Sequence, residues 1–103
     1  MIKVYVEKKD RIHFISIKGH AEYDVYGKDI VCASVSSIVT TTVNGILSFD
    51  KENLFYHVKE GLIEIEAKKE NREVELLLNN MISLLKELEK EYAKNIKIEE
   101  VSL

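Results

Sequence analysis

The chain begins with two short stretches dominated by β-branched and aromatic residues, Ile2 to Val6 and Ile12 to Ile17. The polar run Lys8-Lys9-Asp10-Arg11 separates them, which predicts a hairpin whose turn lacks the glycine that would fix its type. From Gly19 to Lys28 the pattern breaks, and a loop is predicted. Asp29 then reads as a helix N-cap, its carboxylate accepting from the free amides of the first turn. Val31, Val35, Ile38, Val39, Thr42 and Ile46 follow at helical spacing. Val, Ser and Thr are poor helix formers, so a strand competes here, but periodicity and length favour the helix. Its small side chains allow another element, or a second subunit, to come close.

Leu54 to Val58 and Leu62 to Ala67 predict a second hairpin around Glu60-Gly61. The strongest helix comes next: Val74, Leu77, Leu78, Met81, Ile82, Leu85, Leu88 and Tyr92 form one broad apolar stripe, with Glu and Lys opposite. The alternation Ile96-Lys97-Ile98-Glu99 predicts a last strand. The order is β-β-α-β-β-α-β, an α+β fold in which two long helices pack on one mixed sheet.

Composition narrows this picture. At 103 residues the chain accommodates a single domain, residues 1–103, with 46% hydrophobic and 32% charged side chains. Fifteen basic against 18 acidic residues give a net charge of -3, with Lys and Glu interleaved, which argues against a nucleic-acid surface. One cysteine excludes an internal disulfide, and with no apolar leader in Met1 to Glu7 this points to a reducing, cytoplasmic setting. No apolar run approaching the roughly 20 residues of a bilayer span is read, so no membrane partner is expected. A lone Cys with no His pair at ligand spacing makes a metal site unexpected, and no cofactor motif is present.

The chemistry centres on Cys32. A lone cysteine is commonly a small core residue. In the first turn of a helix, however, unpaired amides and the positive end of the helix dipole favour a thiolate. The same amides can stabilise an oxyanion on an attacked carbonyl. His20, directly after Gly19, is a candidate base for the thiol; without Cys32 it reads as a solvated loop histidine. Asp29 has two readings, helix cap or orienter of the protonated His20. Ser36, one turn beyond Cys32, either bonds in the site or bonds back to the preceding turn. Tyr23 and Tyr26 either line a substrate groove or pack the loop down. Gly27 is a hinge or, more simply, a turn residue.

Gly19-His20-Ala21, then Gly27, Asp29, Val31-Cys32-Ala33 and Ser36, resemble the signature of the bacterial ribosomal-processing cysteine proteases. The order of elements over essentially the whole chain is also similar. The resemblance implies an endopeptidase that removes the N-terminal extension of a large-subunit ribosomal protein, with Cys32 as nucleophile and His20 as base. It further implies a homodimer, a loop that orders around substrate, and cleavage after a segment with consecutive aromatic residues. Ser34 and Val35 depart from the smaller residues expected after the Cys. The competing reading is a non-catalytic ribosome-assembly factor in which Cys32 only packs.

Overall fold

Strand pairing extends the first hairpin beyond its apolar centre. β1 (Ile2–Lys9) and β2 (Arg11–Lys18) pair antiparallel, with Val4 opposite Ile17 and Val6 opposite Ile15. In this computed structural model, which describes all residues from Met1 to Leu103, the reversal is made at Asp10 with φ of 65°. Asp is among the residues that tolerate this left-handed conformation, so no glycine is needed. The register shifts between Glu7 and Lys8 on the way into the turn.

Helix α1 (Ile30–Leu47) forms despite its Val, Ser and Thr content. Val31, Val35, Val39, Val43 and Ile46 are buried along one side of it, so tertiary packing outweighs weak propensity. Each fully buried Val or Ile contributes about 1.5–3 kcal/mol against its exposed state. The helix is free of charged residues and, by length and composition alone, apolar enough to cross a bilayer. That corrects the expectation that no run approaches such a length. The reason is physical: the valines that make it apolar fill the core between helix and sheet.

β3 (Leu54–Lys59) and β4 (Leu62–Ala67) pair antiparallel around Glu60-Gly61, and β4 in turn pairs with β2. Helix α2 (Arg72–Glu91) starts at Asn71, whose side chain accepts the Val74 amide, and buries Val74, Leu78, Met81, Ile82 and Leu85. Tyr92 caps its end. β5 (Ile96–Ser102) runs three residues past the predicted alternation and lies parallel to β1. The sheet order is β3-β4-β2-β1-β5, a mixed five-stranded sheet. The two helices contact each other over the face that carries Val4, Val6, Ile15, Ile17 and Ile65.

This order brings four chain segments to one end of the sheet. Lys18 at the end of β2 faces Leu62 at the start of β4, so the loop leaving β2 runs beside the β3–β4 turn. The start of α1 and the turn between α2 and β5 close the same end, through the contacts described next.

Candidate active site

Gly19 leaves β2 with φ of +92°, and a Cβ there would come 2.5 Å from the Met1 carbonyl oxygen. Only glycine meets both conditions without displacement. Its amide donates to the Gly61 carbonyl at 2.9 Å, which fastens the loop to the β3–β4 turn. His20 therefore emerges against that turn. Its Nε2 lies 3.5 Å from where a side chain on Gly61 would begin, and the residue is exposed.

Ala21 is buried, at 1% exposure, and turns the loop inward. Its amide donates to Cys32 Sγ at 3.2 Å, and its carbonyl accepts from Asn95 Nδ2 at 2.9 Å. The thiol is thus held from the His20 side by a backbone donor. Cys32 itself is free and half-buried, at the first turn of α1.

Asp29 caps that helix and does more. One carboxylate oxygen accepts the Val31 and Cys32 amides, both at 3.0 Å, and the other accepts the Tyr23 and Asp24 amides at 2.9 and 3.3 Å. Burial pushes its carboxyl up, but the amides of Cys32, Asp24, Tyr23 and Val31 outweigh this and hold it below the ordinary carboxylate value. No hydrogen bond joins Asp29 to His20; the carboxylate is occupied by backbone. The capping also leaves these first-turn amides without a free donor for an oxyanion. Two first-turn amides are taken by Asp29, and the Ala33 amide bonds to the Asp29 carbonyl at 3.1 Å. The sulfur itself accepts from the loop, at the Ala21 amide.

The two loop tyrosines divide between their two readings. Tyr23 packs edge-on against Tyr92 with ring centres 5.3 Å apart, so it holds the loop down. Tyr26 is 97% exposed and borders the groove over Cys32. Gly27, at φ of +88° with no atom within 4 Å of where a Cβ would stand, is a turn residue. Ser36 faces the same groove, whereas its neighbour Ser34 makes the back-bond to the preceding turn, 2.7 Å to the Ile30 carbonyl.

Cys32, His20, Tyr26 and Ser36 line one groove of about 730 Å³ together with Val58, Glu60 and Leu62. The structure brings the predicted thiol and imidazole to one groove, without a hydrogen bond between them. It also adds contributors that spacing along the chain does not reveal. Val58 and Gly61 enter through the pairing of β4 with β2, and Asn95 and Tyr92 through the turn before β5. Gly61 is legible in the sequence only as a hairpin glycine. Asn95 carries no signal there, because its partner is 74 residues away.

An open groove that holds a thiol, an adjacent backbone donor and an exposed imidazole can support nucleophilic attack on a carbonyl. Comparison with known proteins agrees in kind. A family model described as cysteine protease Prp matches residues 1–97. The chain is 30% identical over 100 residues, 94% of each chain, to the ribosomal processing cysteine protease Prp of Staphylococcus aureus. It is 27% identical over 90 residues, 78% of each chain, to the protein of that name from Bacillus subtilis. A crystal structure of the essential S. aureus protease with a covalently linked product peptide superposes with a TM-score of 0.93 at 30% identity, covering 98% of this chain and 100% of that one. A second, with a substrate peptide, gives 0.87 at 29% identity over the same shares.

Proposed function

This chain belongs to the cysteine protease Prp family, and from that membership we propose that Cys32 is its nucleophile, His20 its general base, and a ribosomal protein its substrate. It is a cysteine protease, a hydrolase of peptide bonds. The observation that carries the residue assignment is the groove itself: an accessible sulfur and an exposed imidazole border one opening of about 730 Å³.

The steps follow from the groups present. His20 takes the Cys32 proton, and the thiolate attacks the peptide carbonyl carbon. The Ala21 amide donates to the sulfur at 3.2 Å and fixes its place before attack. The carbon–nitrogen bond breaks as the imidazolium gives its proton to the departing amine. Water, deprotonated by the same imidazole, then hydrolyses the thioester and restores the thiol. Asp29 holds the loop and helix start through backbone amides, and Ser36 lies within the groove as a polar contact for substrate.

The substrate is the N-terminal extension of a large-subunit ribosomal protein. Support comes from the relatives named for ribosomal processing and from the peptide complexes of the S. aureus protein. The setting is the cytoplasm, where such a substrate is made, and the working form is a homodimer. The dimer reading is supported by the uncharged outer side of α1, where Ala33, Ser37, Thr40 and Thr41 are exposed.

Incubation with a peptide copying the extended ribosomal N-terminus tests the function. Cleavage by the parent and its loss in Cys32→Ala and His20→Ala is the expected result. Cleavage at parental rate by either variant overturns that residue's role.

A further inference from the structure

We propose that Asn95 is a positioning residue for the thiol: through Ala21 it sets the reactivity of Cys32. The inference rests on the reading of Cys32 as nucleophile. Asn95 lies in the turn between α2 and β5, and its main chain is fixed on both sides. Its amide donates to the Tyr92 carbonyl at 2.8 Å, and its carbonyl accepts the amide of buried Ile2 at 2.8 Å. With the backbone so anchored, its Nδ2 donates to the Ala21 carbonyl at 2.9 Å.

Ala21 is then held at three points. Asn95 takes its carbonyl, the core takes its methyl group, and the Cys32 sulfur accepts its amide. The peptide group carrying that amide also carries the His20 carbonyl, so the bond to sulfur links the thiol to the backbone at His20. Glu22, next along, sits at φ of 57°, a conformation that an L side chain keeps only where its surroundings impose it. The Asn95 bond grips the peptide group leading into that residue.

The consequence is chemical. An N–H directed at the sulfur fixes where Sγ stands in the groove, and with it the line along which it meets an electrophile. Removing the Asn95 donor leaves Ala21 free to rotate its amide off the sulfur and leaves its own carbonyl without a partner. Asn95→Asp is nearly isosteric but, when ionised, presents an acceptor to an acceptor.

The test is the rate of Cys32 alkylation by iodoacetamide at fixed pH in the parent, Asn95→Ala, Asn95→Asp and Leu85→Ala, together with kcat and KM on the ribosomal peptide. Leu85 is buried in the core from α2 and serves as a destabilised control remote from the loop. Both Asn95 variants are expected to lower the alkylation rate several-fold and kcat about tenfold, with little change in KM. Leu85→Ala is expected to keep the parental alkylation rate at temperatures where it remains folded. Parental alkylation rates and kcat in both folded Asn95 variants overturn the proposal, and so does failure of both to fold, since Asn95 would then be structural. Alkylation reports the thiol directly, so this result stays separate from the nucleophile assignment, which fails only if Cys32→Ala still cleaves.

Discussion

Asp29 accepts the Cys32 amide at 3.0 Å on one carboxylate oxygen and, on the other, the Tyr23 amide at 2.9 Å. A single side chain therefore starts the helix that carries the thiol and folds the loop that follows His20. The two halves of the site cannot move independently around it. This coupling also explains why Asp29 is unavailable to His20: each oxygen already has two amide donors.

Asp29→Ala removes both functions at once. Loss of the cap costs about 1 kcal/mol, and the Tyr23 and Asp24 amides lose their acceptor as well. For a domain of this size about 1 kcal/mol lowers Tm by roughly 4–8 °C. Asp29→Asn keeps one acceptor oxygen for the helix and leaves the loop amides without the second. It is expected to melt close to the parent while its loop becomes cleavable by added trypsin at Lys28. An Ala variant that melts with the parent would show that the cap is not formed.

The acid side of the stability curve has two contributors. Asp29 is held low by backbone amides, and Glu100 by the side chains of Lys86 and Lys8. For a carboxyl whose folded value lies below its unfolded one, the unfolded chain binds more protons as pH falls. Its stabilisation is present above the ordinary carboxylate range near pH 4 and disappears as pH drops through the lowered folded value. Tm is therefore expected to fall steadily below about pH 4.5. Glu100→Gln combined with Asp29→Asn should flatten that limb, and added salt should weaken the Glu100 share because its partners are solvent-accessible.

Much of this arrangement is readable along the chain, and the remainder has a common physical cause. The elements follow from local period and capping: Asp29, the α2 stripe and the Glu60-Gly61 turn each act within a few residues. β1, β2 and β5 extend beyond their apolar cores, because polar residues such as Lys8, Lys9 and Glu100 complete strands whose pairing, not composition, keeps them extended. Cys32 and His20 are legible as chemistry. What joins them is not, because the Ala21 amide, the Gly61 carbonyl and the Asn95 side chain are backbone or generic polar groups brought together by strand order. Backbone donors leave no mark on residue identity.

Tyr23 and Tyr26, three residues apart, should separate stability from substrate binding. Tyr23→Ala loses an edge-on aromatic pair worth about 0.5–1.5 kcal/mol beyond its buried area, so its Tm should drop by several degrees. Tyr26, at 97% exposure, contributes almost nothing to the fold. Tyr26→Ala should melt with the parent and raise KM for the ribosomal peptide several-fold, the signature of lost ground-state binding with kcat preserved. Equal KM in Tyr26→Ala and the parent would remove this residue from the groove's working wall.

Two glycines in the same loop distinguish backbone strain from steric collision. Both Gly19 and Gly27 have positive φ, +92° and +88°, so alanine at either adopts a conformation that costs on the order of 1 kcal/mol or more. At Gly27 that is the whole effect, because nothing lies within 4 Å of the added carbon. At Gly19 the carbon would come 2.5 Å from the Met1 carbonyl oxygen, a backbone atom that cannot swing aside. Relief requires β2 to shift against β1 or the Gly19 amide to leave the Gly61 carbonyl, and either one displaces His20 from the β3–β4 turn. Gly27→Ala is therefore expected to lose a few degrees in Tm and to retain most of its kcat. Gly19→Ala is expected to lose more stability and, below its melting temperature, to lower kcat at least tenfold while alkylation of Cys32 persists. Thermal melts, peptide cleavage and the alkylation rate on the two variants check this together. Equal kcat in the two would mean that His20 does not depend on where Gly19 leaves the sheet.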